Sequence, residues 1–178
     1  DTTTLQFTAE EAPEWTALFN RTSGWFGADG IFSIPLNGAD TANASDSTLL
    51  VFSDTMVGDV VDGKLQPGTA MVHNSVAYIK GIEPNEENIH FYYDTTAKGR
   101  PESLFIPSTP GAEPRDYYWL GDGFVNTALH NNIYIFAYRM RNLNSDDWSF
   151  TQVGNTLIVI PQGSKPPFKD QRQIETPF

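Results

Sequence analysis

Apolar and polar positions alternate in short runs along most of the chain, and Gly, Asn, Asp and Pro separate the runs. A period of two predicts β-strands, and the β-branched and aromatic residues within the runs suit a pleated, half-buried surface. Four consecutive strands are predicted at 29–36 (DGIFSIPL), 47–55 (STLLVFSDT), 74–80 (NSVAYIK) and 88–94 (NIHFYYD). One helical pattern precedes them, over 8–19 (TAEEAPEWTALF), with Thr8 as N-cap and Glu11 three residues on. Pro13 restricts that helix to about one or two turns.

The order of strand signals then begins again. Asp122-Gly123-Phe124 corresponds to Asp29-Gly30-Ile31, the run at 132–140 takes the place of 47–55, and Val153-Gly154-Asn155-Thr156-Leu157 matches Val72-His73-Asn74-Ser75-Val76. The repeat is therefore a four-stranded unit of roughly 80–90 residues, and a four-stranded antiparallel unit repeated in tandem is the signature of a β-propeller blade. Such meanders also build sandwiches, but tandem recurrence favours the propeller, because a single unit cannot bury both faces and must stack on a neighbour. The expected organisation is an all-β chain supplying about two blades. Residues 1–22 form an N-terminal segment with a short helix, 23–100 the first blade, 101–160 an incomplete second blade, and 161–178 a tail or linker. A closed propeller needs at least four blades, so the remaining ones are expected from a second chain or a missing segment.

Composition narrows the chemistry. Lys and Arg number 11 against 22 Asp and Glu, a net charge of −11, which repels a phosphate backbone and excludes nucleic acid as a partner. No apolar run approaches the roughly 20 residues that cross a bilayer, so no membrane partner is expected. The absence of cysteine rules out disulfides, iron–sulfur clusters, thiolate zinc and a thiol nucleophile. The sequons Asn20-Arg21-Thr22 and Asn43-Ala44-Ser45, with a start at Asp1 rather than Met, predict a secreted, extracellular protein. Gly-x-Ser-x-Gly, Walker and His-Glu-x-x-His motifs are all lacking, and His73, His90 and His130 have no metal-ligand spacing.

In a propeller the innermost strands line a common channel, so corresponding polar residues of successive units become spatial neighbours. Asp29 in Gly24-Trp25-Phe26-Gly27-Ala28-Asp29-Gly30 and Asp122 in Trp119-Leu120-Gly121-Asp122-Gly123 each stand beside glycines and follow a tryptophan. Asp-Gly alone reads as a turn. Repeated beside Trp25 and Trp119, whose flat faces can stack on sugar C–H groups, it reads as a carboxylate pair around a sugar. Asp54 ends an apolar strand, and His73-Asn74-Ser75 brings three hydrogen-bonding side chains to the start of the next. Because the second unit keeps the Asn but has Gly154 in place of histidine, Asn74 reads as structural and His73 as specific to a site.

These motifs, with Val51-Phe52-Ser53-Asp54-Thr55 and Val72-His73-Asn74-Ser75, resemble in order those of the five-bladed propeller glycoside hydrolases that include endo-D-arabinanases. The resemblance spans 23–160. It implies a glycosidase acting on a furanose-containing, arabinan-like glycan. Asp29 and Asp54 would be the catalytic carboxylates and Asp122 a further funnel acid, with Trp25, His73, Asn74 and Trp119 around the substrate. Glycoside hydrolysis needs one protonated and one ionised carboxyl, and neighbouring acids supply that split. No cofactor is expected, although clustered Asp and Asn also suit calcium. The alternative is thus a non-catalytic sugar- or calcium-binding propeller module.

Overall fold

The structure is a computed structural model that describes residues 7–39, 41, 43, 45–144 and 149–177. It is all-β apart from one short helix and a single 3-10 turn, and none of its sheets closes into a barrel among the described residues. The helix, α1 (Pro13–Phe19), starts at the proline expected to limit it. A missing N–H costs nothing in the first turn of a helix, so Pro13 opens the helix. Thr8 lies outside it and caps nothing.

The strands are β1 (Ser23–Ala28), β2 (Phe32–Pro35), β3 (Ser47–Phe52), β4 (Thr55–Val61), β5 (Lys64–Leu65), β6 (Ala70–Val72), β7 (Ser75–Lys80), β8 (Ile89–Tyr92), β9 (Asp94–Thr95), β10 (Pro101–Glu102), β11 (Tyr117–Asn126), β12 (Asn132–Asn142), β13 (Phe150–Ile160) and β14 (Arg172–Thr176). Two four-stranded antiparallel meanders dominate, in the orders β2-β3-β7-β8 and β11-β12-β13-β14. The four strands expected in the first unit are all present. The second unit differs from expectation, because 161–178 is no linker: β14 completes the meander from within it. Arg139 of β12 holds Glu175 of β14 at 2.8 Å, and Glu175 also accepts the Gly111 N–H.

The connector between β13 and β14 is tied down as firmly. Phe168 is fully buried and its ring lies parallel to that of Phe105, with centroids 5.7 Å apart. Both belong to the main core, which sits between the meanders and takes Ile34, Leu49, Val51 and Val76 from one and Tyr118, Leu120, Ile135 and Ile158 from the other.

The first meander is buried on both faces. Leu50, Phe52, Ala77 and Ile79 point away from the main core, onto Leu18 of α1 and Trp25 of β1. Burial on both sides explains why β3 reads as an unbroken apolar run. In β12, by contrast, Ile133, Ile135 and Ala137 face inward, while Phe136 and Tyr138 are exposed on the opposite face with Ile174 of β14.

Sequence reading missed a second layer. β1, β4, β5 and β6 form a separate sheet in which β4 pairs with the other three. Its strands continue those of the first meander across a break: β1 leads to β2, β3 to β4 and β6 to β7. The registers Ala28↔Thr55↔Val72 on one side and Phe52↔Ser75 on the other put all three breaks at one level. There Thr55 Oγ1 lies 2.7 Å from Ser75 Oγ, which accepts the Trp25 indole N–H at 3.1 Å.

The first strands of the two meanders run alongside each other in the same direction. Ser53, next to Gly30, bonds Leu120; further along, Ile34 abuts Gly123, and then Gly38 abuts Thr127. A Cβ on Gly123 would stand 2.5 Å from Ile34 Cδ1, so this approach requires glycine. Removing the Phe168 ring opens a cavity in the shared core. Phe168→Ala is expected to cost about 3–5 kcal/mol in urea unfolding, whereas Leu129→Ala on the surface changes stability by less than about 0.5 kcal/mol.

Candidate functional site at the strand breaks

Each of the three breaks carries a residue singled out by its chemistry. Asp29 lies between β1 and β2, Asp54 between β3 and β4, and His73 between β6 and β7. Strand alternation places side chains only within a sheet; where a strand leaves one sheet for another, the break residues are released from that pattern and can point into the corner between layers. Main-chain bonds stitch two of these breaks together, Asp29 N–H donating to the Asp54 carbonyl at 3.1 Å and Ser53 N–H to the Asp29 carbonyl at 3.0 Å.

Asp54 Oδ1 is the hub. His73 Nδ1 lies 2.8 Å away, and the Trp119 indole N–H donates to the same oxygen at 3.0 Å. Since a carboxylate oxygen accepts, the imidazole places its proton on Nδ1. The His73 ring stacks on Tyr117 with centroids 3.8 Å apart and planes inclined by 21°. Tyr117 in turn donates to Asn142 at 3.1 Å, and Phe150 meets Trp119 edge-on at 4.9 Å. Burial, followed by the nearby Asp54 charge, holds the Tyr117 phenol above its usual range.

Asp29 differs from its neighbour. Its pKa is raised above 3.8, first by burial and then by repulsion from Asp54, against a smaller opposing effect of a hydrogen bond to its carboxyl from the Asp54 main chain. The two acids therefore occupy unlike environments: Asp54 is flanked by N–H donors, whereas Asp29 is solvent-exposed on one side and faces the Asp54 charge on the other.

Trp119, His73, Asp54 and Asp29 thus converge, whereas three other candidates do not join them. Asp122 is exposed at a bulge of β11, where it accepts the Gly123 N–H at 2.7 Å. It lines a separate groove of about 480 Å³ with Ile31, Phe32 and Phe124, between β2 and β11. Trp25 was expected as a sugar platform but is only 4% exposed, stacked on Phe91 at 4.3 Å with its N–H on Ser75. It is a core residue. Asn74 is completely buried, donating to the Phe105 and Tyr118 carbonyls and accepting from Phe105 N–H. With no exposed surface it has no face for a substrate; it ties β7 to the second meander, the structural reading that its recurrence at Asn155 suggested.

Ser53, Tyr117, Asn142 and Phe150 were missed. Tyr117 had a signal, since it lies two residues before Trp119 and so shares its face of β11. Asn142 and Phe150, opposite one another in the β12–β13 register, become neighbours of the site only through the pairing of the second meander. Among the described residues no three Asp, Glu or His side chains gather as a metal-ion group. The sequon asparagine Asn20 is exposed at the end of α1; Ala44 of the second sequon and the start at Asp1 lie outside the described residues.

Comparison with known proteins gives a family and a structural neighbour. A protein from Bacteroides ovatus, provisionally named a hydrolase, superposes with a TM-score of 0.64 at 17% identity, over 86% of this chain and 39% of its own. The chain thus spans about two fifths of that protein's length, and the likeness is one of fold. No curated protein matches it. The model of a family described as a domain of unknown function, DUF5005, matches residues 13–176, nearly the whole chain, and the chain belongs to that family.

Proposed function

We propose that this chain carries the acid pair of a glycoside hydrolase acting on a furanose-containing, arabinan-like glycan. The observation that carries this reading is the placement of Asp29 and Asp54 on adjacent, mutually bonded strand breaks in unlike surroundings. Asp29, which holds its proton to higher pH, donates it to the leaving glycosidic oxygen. Asp54, oriented by His73 and Trp119, either activates water or attacks the anomeric carbon. Two carboxyls with opposed protonation are what glycoside hydrolysis requires. The furanose preference rests on the resemblance of the motifs at 24–30, 51–55, 72–75 and 119–123 to arabinanase-type propellers. The hydrolase name of the Bacteroides ovatus neighbour supports hydrolysis and carries no information on the substrate.

The propeller architecture belongs to the same proposal. Two meanders whose first strands run side by side in one direction are arranged as adjacent blades are. The outer face of the second meander exposes Phe124, Phe136, Tyr138 and Ile174, the surface that a further blade would bury. Those blades come from a further segment or from a second chain, and the grooves along β2 and β11 open on the channel between them, with Asp122 as its additional acid. Secretion, supported by the exposed sequon at Asn20, suits an enzyme whose substrate is an extracellular polysaccharide.

Asp29→Asn and Asp54→Asn are each expected to lower kcat on arabinofuranoside substrates by about 10²- to 10⁴-fold with the fold retained. Unchanged turnover in either variant would remove that residue from the mechanism. Binding of glycan without turnover by the unaltered chain would favour the non-catalytic module, and a melting temperature lowered by a chelator would point to calcium.

A pH series supplies an independent check. Because the Asp29 pKa is raised in the folded state, the stability it contributes is complete below the ordinary value of 3.8 and is lost as pH rises through the elevated one. The urea midpoint of Asp29→Asn is therefore expected to gain on that of the unaltered chain as pH climbs from about 4 toward neutrality. Parallel midpoints across that range would contradict the raised Asp29 pKa.

A further inference from the structure

His73 is immobilised on three sides. Asp54 takes Nδ1, its main-chain N–H donates to Ser103 Oγ at 2.9 Å, and Tyr117 covers one ring face. Nε2 makes no hydrogen bond among the described residues, and the side chain is 32% exposed. With the proton on Nδ1, Nε2 is an acceptor held in a fixed direction and left unused.

His73 lines a groove of about 400 Å³, within the usual size of small-molecule sites. Met71 and Ile106 also line it and are 55% and 51% exposed, placing apolar surface beside the polar cluster. Arg115 stands on its rim. Its backbone is left-handed, with φ of 77°, a strained conformation for a non-glycine residue that persists only where the surroundings impose it.

The surroundings do impose it. Arg141 grips the buried Asp116 carboxylate through two bonds, Nε to Oδ1 at 2.7 Å and Nη2 to Oδ2 at 2.9 Å, and reaches Glu113 at 2.8 Å. Glu113 N–H donates to Asp116, and Asp116 N–H returns a bond to the Glu113 carbonyl. The turn that carries Arg115 is thereby clamped from both ends. The Arg115 guanidinium itself has no hydrogen bond or ion pair among the described residues. Glu102 also lines the groove, so its charge offsets that of Arg115.

Resting on the hydrolase reading above, we infer that this groove is a subsite for a second, neutral sugar residue of the glycan, next to the one being cleaved. His73 Nε2 accepts a hydroxyl, Arg115 donates to another oxygen, and Met71 with Ile106 supports the C–H face of the ring. A fixed acceptor and a guanidinium donor beside exposed apolar side chains complement a pyranose or furanose ring, which presents hydroxyls at its edge and C–H bonds on its face. The offset of charge selects against anionic sugars. The groove also gives His73 a role on the side of its ring away from Asp54, linking recognition of the second sugar to the orientation of the carboxylate.

The test uses the full chain carrying Asp29→Asn to stop turnover, with methyl arabinofuranoside and a linear arabinofuranosyl disaccharide as probes in calorimetric titration. The disaccharide is expected to bind at least about tenfold more tightly, and Arg115→Ala and Ile106→Asp are each expected to abolish most of that advantage. On saturation the His73 Nε2 nitrogen resonance shifts with the longer probe only. Equal affinities for the two probes, an advantage that survives both substitutions, or binding of neither probe would overturn the subsite. The hydrolase reading fails separately: if the unaltered chain binds both probes but cleaves no furanoside, catalysis is lost and the subsite stands, whereas cleavage of an aryl arabinofuranoside without any chain-length advantage removes the subsite alone.

Discussion

The site depends on one hydroxyl that joins the two meanders. Ser53 Oγ donates to the Leu120 carbonyl at 3.2 Å and accepts the Leu120 N–H at 3.0 Å, serving both main-chain groups of a single residue at the bulge of β11. Asp54 follows Ser53 and Trp119 precedes Leu120, so this double bond sets the register in which the Trp119 N–H finds the carboxylate. Gly30 makes it possible. A Cβ there would come within 2.8 Å of Ser53 Oγ, and the backbone has φ of 58°, so a side chain at position 30 would be excluded by space and by conformation together. Position, in this site, is inherited from packing between sheets.

The strands of both meanders were legible where the alternation was clean. β3 and β7 fell inside their expected runs because burial on both faces left an apolar signature too long to miss, and β11, β12 and β13 were found through their likeness to the first unit. β4 to β6 were not, since Thr55–Val61 carries Gly58 and Asp59 within it and the short strands after it have two and three residues. No periodicity can be read over so few positions. β14 hid behind its flanks: Lys165, Pro166, Pro167 and Lys169 read as a solvated linker, and nothing local revealed that Phe168 among them goes to the core. Tertiary contact decided that segment.

The candidate site was legible in its residue types and less so in its membership. Asp29, Asp54, His73 and Trp119 are polar or amphipathic residues at strand ends, and strand ends are where such groups reach a common corner. Trp25 was misread for a physical reason: indole is both the best stacking surface for a sugar and one of the best core fillers, and only the contacts with Phe19, Phe52 and Phe91 decide which. Asp122 matched Asp29 in sequence but not in setting, because the second meander lacks the extra layer that turns the Asp29 break into a corner.

That missing layer has a consequence for how the site is assembled. Both acids and the imidazole come from seams within a single half of the molecule, and the other half contributes only rings and amide groups that press them into place. The ionisable groups and the parts that hold them are therefore separable along the sequence. A substitution in the clamp changes how the acids and the imidazole are held and leaves those groups themselves in place.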